Sequence, residues 1–182
     1  MITIEEYKQF KAYTRQDGAI IGVLMSVIFF IFVKSFTNPS MQLLYFLGMI
    51  SVPVVVAMRV RNYRDKIVMK RISKRRAFGY CLSCFMYGSL ILALSVFVYF
   101  QYMDNGSFIT TLSEYFAMPE MKEAMKIYGL DPAMMKQQLS ELQELRPVDV
   151  AISVISNTFM SGMFCSLIIA LLSRREPKMV KK

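Results

Sequence analysis

The sequence predicts an all-α polytopic membrane protein with four transmembrane helices and an extracytoplasmic amphipathic helical segment between the third and fourth. Composition is the first reason: of 182 residues, 55% are hydrophobic and 19% charged, against about 25% charged in an average soluble domain. The second is that the apolar residues gather into four runs of spanning length. The third is that the 22 Lys and Arg, which outnumber 13 Asp and Glu to give a formal net charge of +9, crowd between those runs. A basic soluble nucleic-acid module would be more polar than this, so no nucleic-acid partner is expected. The chain has no His, which removes Ser-His-Asp triads, Cys-His pairs and His-containing zinc or haem sites.

A bilayer-spanning helix takes about 20 apolar residues, within about 17–25. Residues 18–36 carry one charge, Lys34, at their end. Residues 42–58 carry none; they include Pro53, which membrane helices tolerate. Residues 77–102 lack any acid or base, and 148–172 have only Asp149, near the start. Four such runs are hard to bury in so small a globule. A three-span alternative would drop the second run, the shortest. The first run follows 17 residues carrying three acids, and no small-x-small cleavage site comes after it. It is therefore expected to remain as a span rather than leave as a signal peptide. The whole chain, 1–182, reads as a single membrane domain.

The segments between the runs set the orientation. The tail 1–17, the loop 59–76 and the C-terminal tail together hold 17 of the 22 basic residues. The positive-inside rule then places both termini in the cytoplasm. The loop 59–76 alone carries Arg59, Arg61, Arg64, Lys66, Lys70, Arg71, Lys74, Arg75 and Arg76 against one acid, Asp65. The segment 103–147 has a net charge of −3, consistent with an outward position.

Around this loop the sequence resembles a known family. Arg61-Asn62-Tyr63-Arg64-Asp65-Lys66, then Ile72-Ser73, then Ala77-Phe78-Gly79-Tyr80 are similar to the bacterial membrane family called domain of unknown function 4199. The order that follows is similar too: a long third span, a Met-rich and Gln/Glu-rich outward segment, and a fourth span ending in basic residues. One departure is the absence of a Gly between Lys66 and Ile72. The resemblance implies a four-helix protein of the bacterial cytoplasmic membrane whose activity is not established. Its members are often encoded beside a membrane-associated glycosyltransferase, which implies a partner in lipid-linked sugar or envelope metabolism.

The nine basic loop residues read either as a topology determinant or as a site for anionic lipid headgroups or an acidic partner, each Lys or Arg near such a surface being worth about 1 kcal/mol. Val60, Tyr63, Ile67, Val68 and Ile72 have helical spacing, as expected of a short helix lying along the interface. In the outward segment, Pro119–Leu130 and Pro132–Leu145 read as two helices, with Pro in each first turn, Gly129 closing the first and Asp131 capping the second. Met121, Met125 and Tyr128 form one apolar stripe. Met135, Leu139, Leu142 and Leu145 form another.

Inside the spans, helix association relies on close packing and interhelical hydrogen bonds. Gly18 and Gly22 lead to Ser26 at four-residue spacing in the first span; Cys84 and Gly88 do the same in the third. In the fourth, Asn157, Ser161 and Cys165 form one row and Thr158, Gly162, Ser166 and Ala170 the next. Together they read as one small, polar face, a helix seam or a substrate groove, with Asn157 turned to the bundle interior or to another chain. Cys81-x-x-Cys84 lies in an apolar run without a second pair, so both cysteines read as structural small residues, and no metal or cofactor is expected. No catalytic set assembles. The expected function is thus non-enzymatic: an integral membrane accessory or scaffold protein with a membrane protein partner or as a homo-oligomer. The alternative is a small transporter or lipid-handling protein acting as an oligomer.

Overall fold

The computed structural model describes residues 4–67, 72–129 and 131–173. The described residues form seven helices: α1 Ile4–Ser35, α2 Pro39–Lys66, α3 Lys74–Tyr102, α4 Ser107–Ala117, α5 Pro119–Ile127, α6 Pro132–Glu144 and α7 Pro147–Ser173. Four of them, α1, α2, α3 and α7, are long and apolar enough to cross a membrane.

Three of these run beyond their apolar cores. α1 begins at Ile4 because 4–17 hold no Gly or Pro, and Glu5 and Glu6 sit in the first turn, where carboxylates favour the helix dipole. α2 starts on a cap: the Asn38 side chain accepts from the Ser40 N–H at 3.1 Å, with Pro39 in the first turn. It then continues through Arg59, Arg61, Arg64 and Lys66. The connection 59–76 is therefore helical through Lys66 and again from Lys74. Ser73 caps α3 by accepting from the Arg76 N–H at 3.3 Å. The helical spacing of Val60 and Tyr63 belongs to α2 itself; both are buried in the bundle rather than lying along a membrane surface. Val68, Lys70, Arg71, Leu130 and the C-terminal basic residues fall outside the described residues.

α3 is the central helix. It packs along its length against α1 on one side and α7 on the other, while α2 leans on α1 and barely meets α7. Glycine permits the α1–α3 approach. A methyl added at Gly22 would lie 2.9 Å from the Gly88 carbonyl oxygen and 2.8 Å from Ile91 Cβ. One turn on, the Ser95 hydroxyl donates to Ser26 Oγ at 2.9 Å, so the seam is closed by a hydrogen bond as well as by contact.

Between α3 and α7, Asp104 organises the turn. Its carboxylate is buried and accepts from the Phe108 N–H (2.7 Å), Ser107 Oγ (3.2 Å) and Tyr99 OH (3.1 Å). Asn105 (φ 46°) and Gly106 (φ 80°) turn the chain into α4, a helix in a stretch the sequence reading left without one. The Gln42 side chain donates to Tyr115 OH at 3.4 Å, tying α4 to the start of α2. In α5 and α6 the expected punctuation holds: Gly129 is left-handed (φ 66°) and Asp131 accepts from the Ala133 N–H at 2.8 Å. The α5 stripe is only partly inward. Met125 is buried, but Tyr128 stands exposed past the helix end, and Leu142 of α6 and Leu145, which caps it, are also exposed.

Candidate functional site

Two features stand out, one at the end of the bundle where the N-terminal half of α1 packs and one along its side. At the end, Asp17 is buried on α1, 6% exposed. Tyr80 OH donates to its Oδ2 at 2.6 Å, and Arg59 approaches Oδ1 at 3.5 Å. Tyr80 stacks on Tyr63 with ring centroids 4.5 Å apart, and Phe10 meets both rings edge-on. Arg76 donates to Tyr63 OH at 3.3 Å and pairs with Glu6 at 3.8 Å. Arg64 is buried; it holds Asp65 with two hydrogen bonds and donates to the carbonyl of Ser173, the last described residue of α7, at 2.9 Å. The knot thus joins α1, α2, α3 and α7.

These contacts divide the nine basic residues. Arg59, Arg64 and Arg76 are engaged inside the protein. Arg61, Lys66, Lys74 and Arg75 are exposed, a smaller set to meet headgroups or a partner. Asp17 went unremarked in the sequence, although Phe10, Thr14, Asp17 and Ile21 sit at helical spacing. That spacing is the signal for an acid facing inward.

Of the small residues, Gly18, Gly22, Cys84 and Gly88 come together at the α1–α3 seam, where a methyl at Gly18 would lie 3.1 Å from the Cys84 carbonyl oxygen. The single face expected on α7 is instead two. Gly162 and Ser166 are buried, Gly162 so close to Phe85 that a methyl would fall 2.6 Å from its ring. Ser161 and Cys165 turn with Thr158 into a cleft, and Asn157 is exposed. The row with Asn157 does not face the bundle interior because α3 already occupies the Gly162 side. Cys81 and Cys84 are buried and free.

The cleft lies between α2 and α7, floored by α1 and α3. It has a volume of about 320 Å³ and an apolar lining that includes Phe32, Met49, Pro53, Phe85 and Val96, with Thr158 and Ser161 as its polar wall. A second cavity of about 400 Å³ shares Phe29, Phe32, Val96 and Val154 with it and runs beneath α4 and α6 to Asp104 and Gln143. The two cavities adjoin at these four side chains. Their lining suits a hydrocarbon chain or a row of partner side chains. A whole helix, 10–12 Å across with its side chains, would not fit. Among the described residues, no group of three or more Cys, Asp or Glu is placed to hold a metal ion.

The model of a family described as protein of unknown function (DUF4199) matches residues 16–175, and the chain belongs to that family. No curated protein and no solved structure matches it.

Proposed function

We propose that this family member is a non-enzymatic accessory subunit or scaffold of the cytoplasmic membrane. It holds a second membrane component against its open α2–α7 side. The observation that carries the reading is the uneven packing of the bundle: three helices are tightly joined through α3, while α2 stands off α7 and leaves an apolar cleft. The polar knot at the bundle end supports a holding role, because its ionisable groups engage one another across three helices and reach the backbone of a fourth. In this reading the knot and the exposed Arg61, Lys66, Lys74 and Arg75 face the cytoplasm, where anionic headgroups attract them. The partner is a membrane enzyme of lipid-linked sugar or envelope metabolism, as the family resemblance implies.

A second reading, a lipid-handling protein, is favoured by the volume and apolar lining of the two adjoining cavities. One experiment separates the two. The protein is purified in mild detergent, and the bound proteins and lipids are identified by mass spectrometry. It is then repeated with Thr158→Phe, which fills the cleft wall. A stable protein partner that the substitution removes supports the scaffold. A lipid that it displaces, with no protein bound, supports lipid handling. A wild-type protein with nothing bound overturns both.

A further inference from the structure

We propose that the protein pairs with a second copy of itself through the α7 row Asp149, Ser153, Asn157 and Ser161, Asn157 of each copy hydrogen-bonding Asn157 of the other. Asn157 lies about 5 Å along the axis from the middle of α7, at a rise of about 1.5 Å per residue. A helix that crosses the bilayer puts it deep in the hydrocarbon. Its side chain is exposed outside the bundle and makes no hydrogen bond among the described residues. An amide left so in hydrocarbon keeps its full desolvation cost.

The neighbouring hydroxyls do not serve it. Ser153 donates to the Asp149 carbonyl and Ser161 to that of Asn157, each at 2.9 Å. Both are therefore satisfied and small, and they permit close approach of another helix on either side of Asn157. An amide offers both donor and acceptor, so it is its own complement. A two-fold axis along the membrane normal brings the same residue of two copies together at the same depth, the geometry of an isologous interface. A helix of a different protein has no such guarantee of depth.

The outer end of the row does not oppose this pairing. Arg146 grips Asp149 through two hydrogen bonds at 2.8 and 3.0 Å, and its side chain is 77% exposed. Where the axis brings Asp149 near Asp149 of the other copy, each carboxylate carries its own guanidinium, so the row approaches without an uncompensated like charge. The carboxylate holds the Arg146 guanidinium above its already high ordinary pKa, so each pair keeps its cation at any physiological pH. This face borders the cleft at Ser161, but Asp149, Ser153 and Asn157 lie outside its lining, and the inference does not rest on the cleft being filled.

The test uses full-length protein reconstituted in phosphatidylcholine vesicles, with association read by energy transfer between labelled copies as the protein-to-lipid ratio is varied. Wild type is expected to associate. Asn157→Leu should weaken association about 3- to 20-fold, the range for interhelical hydrogen bonds in bilayers, and Asn157→Gln should retain most of it. In a Cys165→Ser background, Ser153→Cys should form an intermolecular disulfide, and Ile152→Cys, exposed but off this face, should not. Wild type that stays monomeric at every ratio overturns the proposal. So does association untouched by Asn157→Leu, or native-membrane cross-links from Ser153→Cys that reach only a different protein.

Discussion

At the residue scale, the most informative group is Asp17. A buried carboxylate is tolerated only with partners, and here they are Tyr80 OH at 2.6 Å and Arg59 at 3.5 Å. The Arg59 side chain is 35% exposed, so water screens that pair and the tyrosine bond carries more of the stabilisation. Tyr80→Phe removes the hydroxyl and leaves the carboxylate short of a donor. The expected cost is about 1.5–3 kcal/mol, typical of a hydrogen bond to a charged group, read from unfolding in mixed detergent micelles. A cycle with Asp17→Asn checks the assignment: if the two residues act through this bond, the double variant loses less than the sum of the singles. Strict additivity would show that the Tyr80 hydroxyl does not stabilise through the Asp17 carboxylate. The exposed basic residues call for a different measurement. Replacing Arg61, Lys66, Lys74 and Arg75 together by Gln should lower the anionic lipid that co-purifies without lowering stability, since none is engaged inside the bundle. Replacing Arg64 should do the reverse, because its guanidinium joins Asp65 to the Ser173 carbonyl.

At the element scale, the α1–α3 seam decides whether the bundle closes. A side chain at Gly22 meets the Gly88 backbone at 2.9 Å, and backbone cannot swing aside as a side-chain tip can. Gly22→Leu should therefore separate the helices and cost at least the 1–3 kcal/mol usual for overpacking. Gly79→Ala is the control: the nearest atom is the tip of Phe10 at 3.9 Å, and no loss is expected. A Ser26→Cys/Ser95→Cys pair, built where the hydroxyls lie 2.9 Å apart, reports the separation directly. It should form a disulfide in the Gly79→Ala background and fail in Gly22→Leu. This seam was legible in the sequence because glycines four apart leave a flat strip on any helix, whatever packs there. The spans were legible for the same reason, since length and apolarity are local properties. What was not legible depends on partners. Nothing local says that α2 continues past Met58, because its charged last turns are stabilised by Asp17 and Ser173, distant in sequence. Nor does the α7 pattern say which of two adjacent small-residue rows α3 will take. Gly162 settles that only once Phe85 is found against it.

For the whole molecule, the arrangement amounts to a close-packed triplet, α1–α3–α7, with α2 laid against α1 and otherwise attached at its two ends. One attachment is the polar knot, where Arg59 reaches Asp17 and Arg64 reaches Ser173. The other is the Gln42–Tyr115 hydrogen bond at the α4 end, at 3.4 Å and exposed. Between them the cleft separates α2 from α7, and Pro53, which lines it, lacks the N–H that would hold one turn of α2 to the next. A helix laid mainly against α1, fastened to the others at its ends and weakened between them by Pro53 is the element with most freedom to move, and the cleft is the space it would close. Spin labels test this by the width of their distance distributions. A pair at Leu44 and Ser156, on α2 and α7, should give a broader distribution than a pair at Val23 and Leu94, on α1 and α3, all four positions being exposed. Arg64→Ala should widen the first further and leave the second unchanged, because only the first spans the fastening that Arg64 supplies. If the two distributions are equally narrow, α2 is held as firmly as the rest and the cleft is a fixed groove. If both widen with Arg64→Ala, the guanidinium holds the whole bundle together, and the division into triplet and movable helix fails.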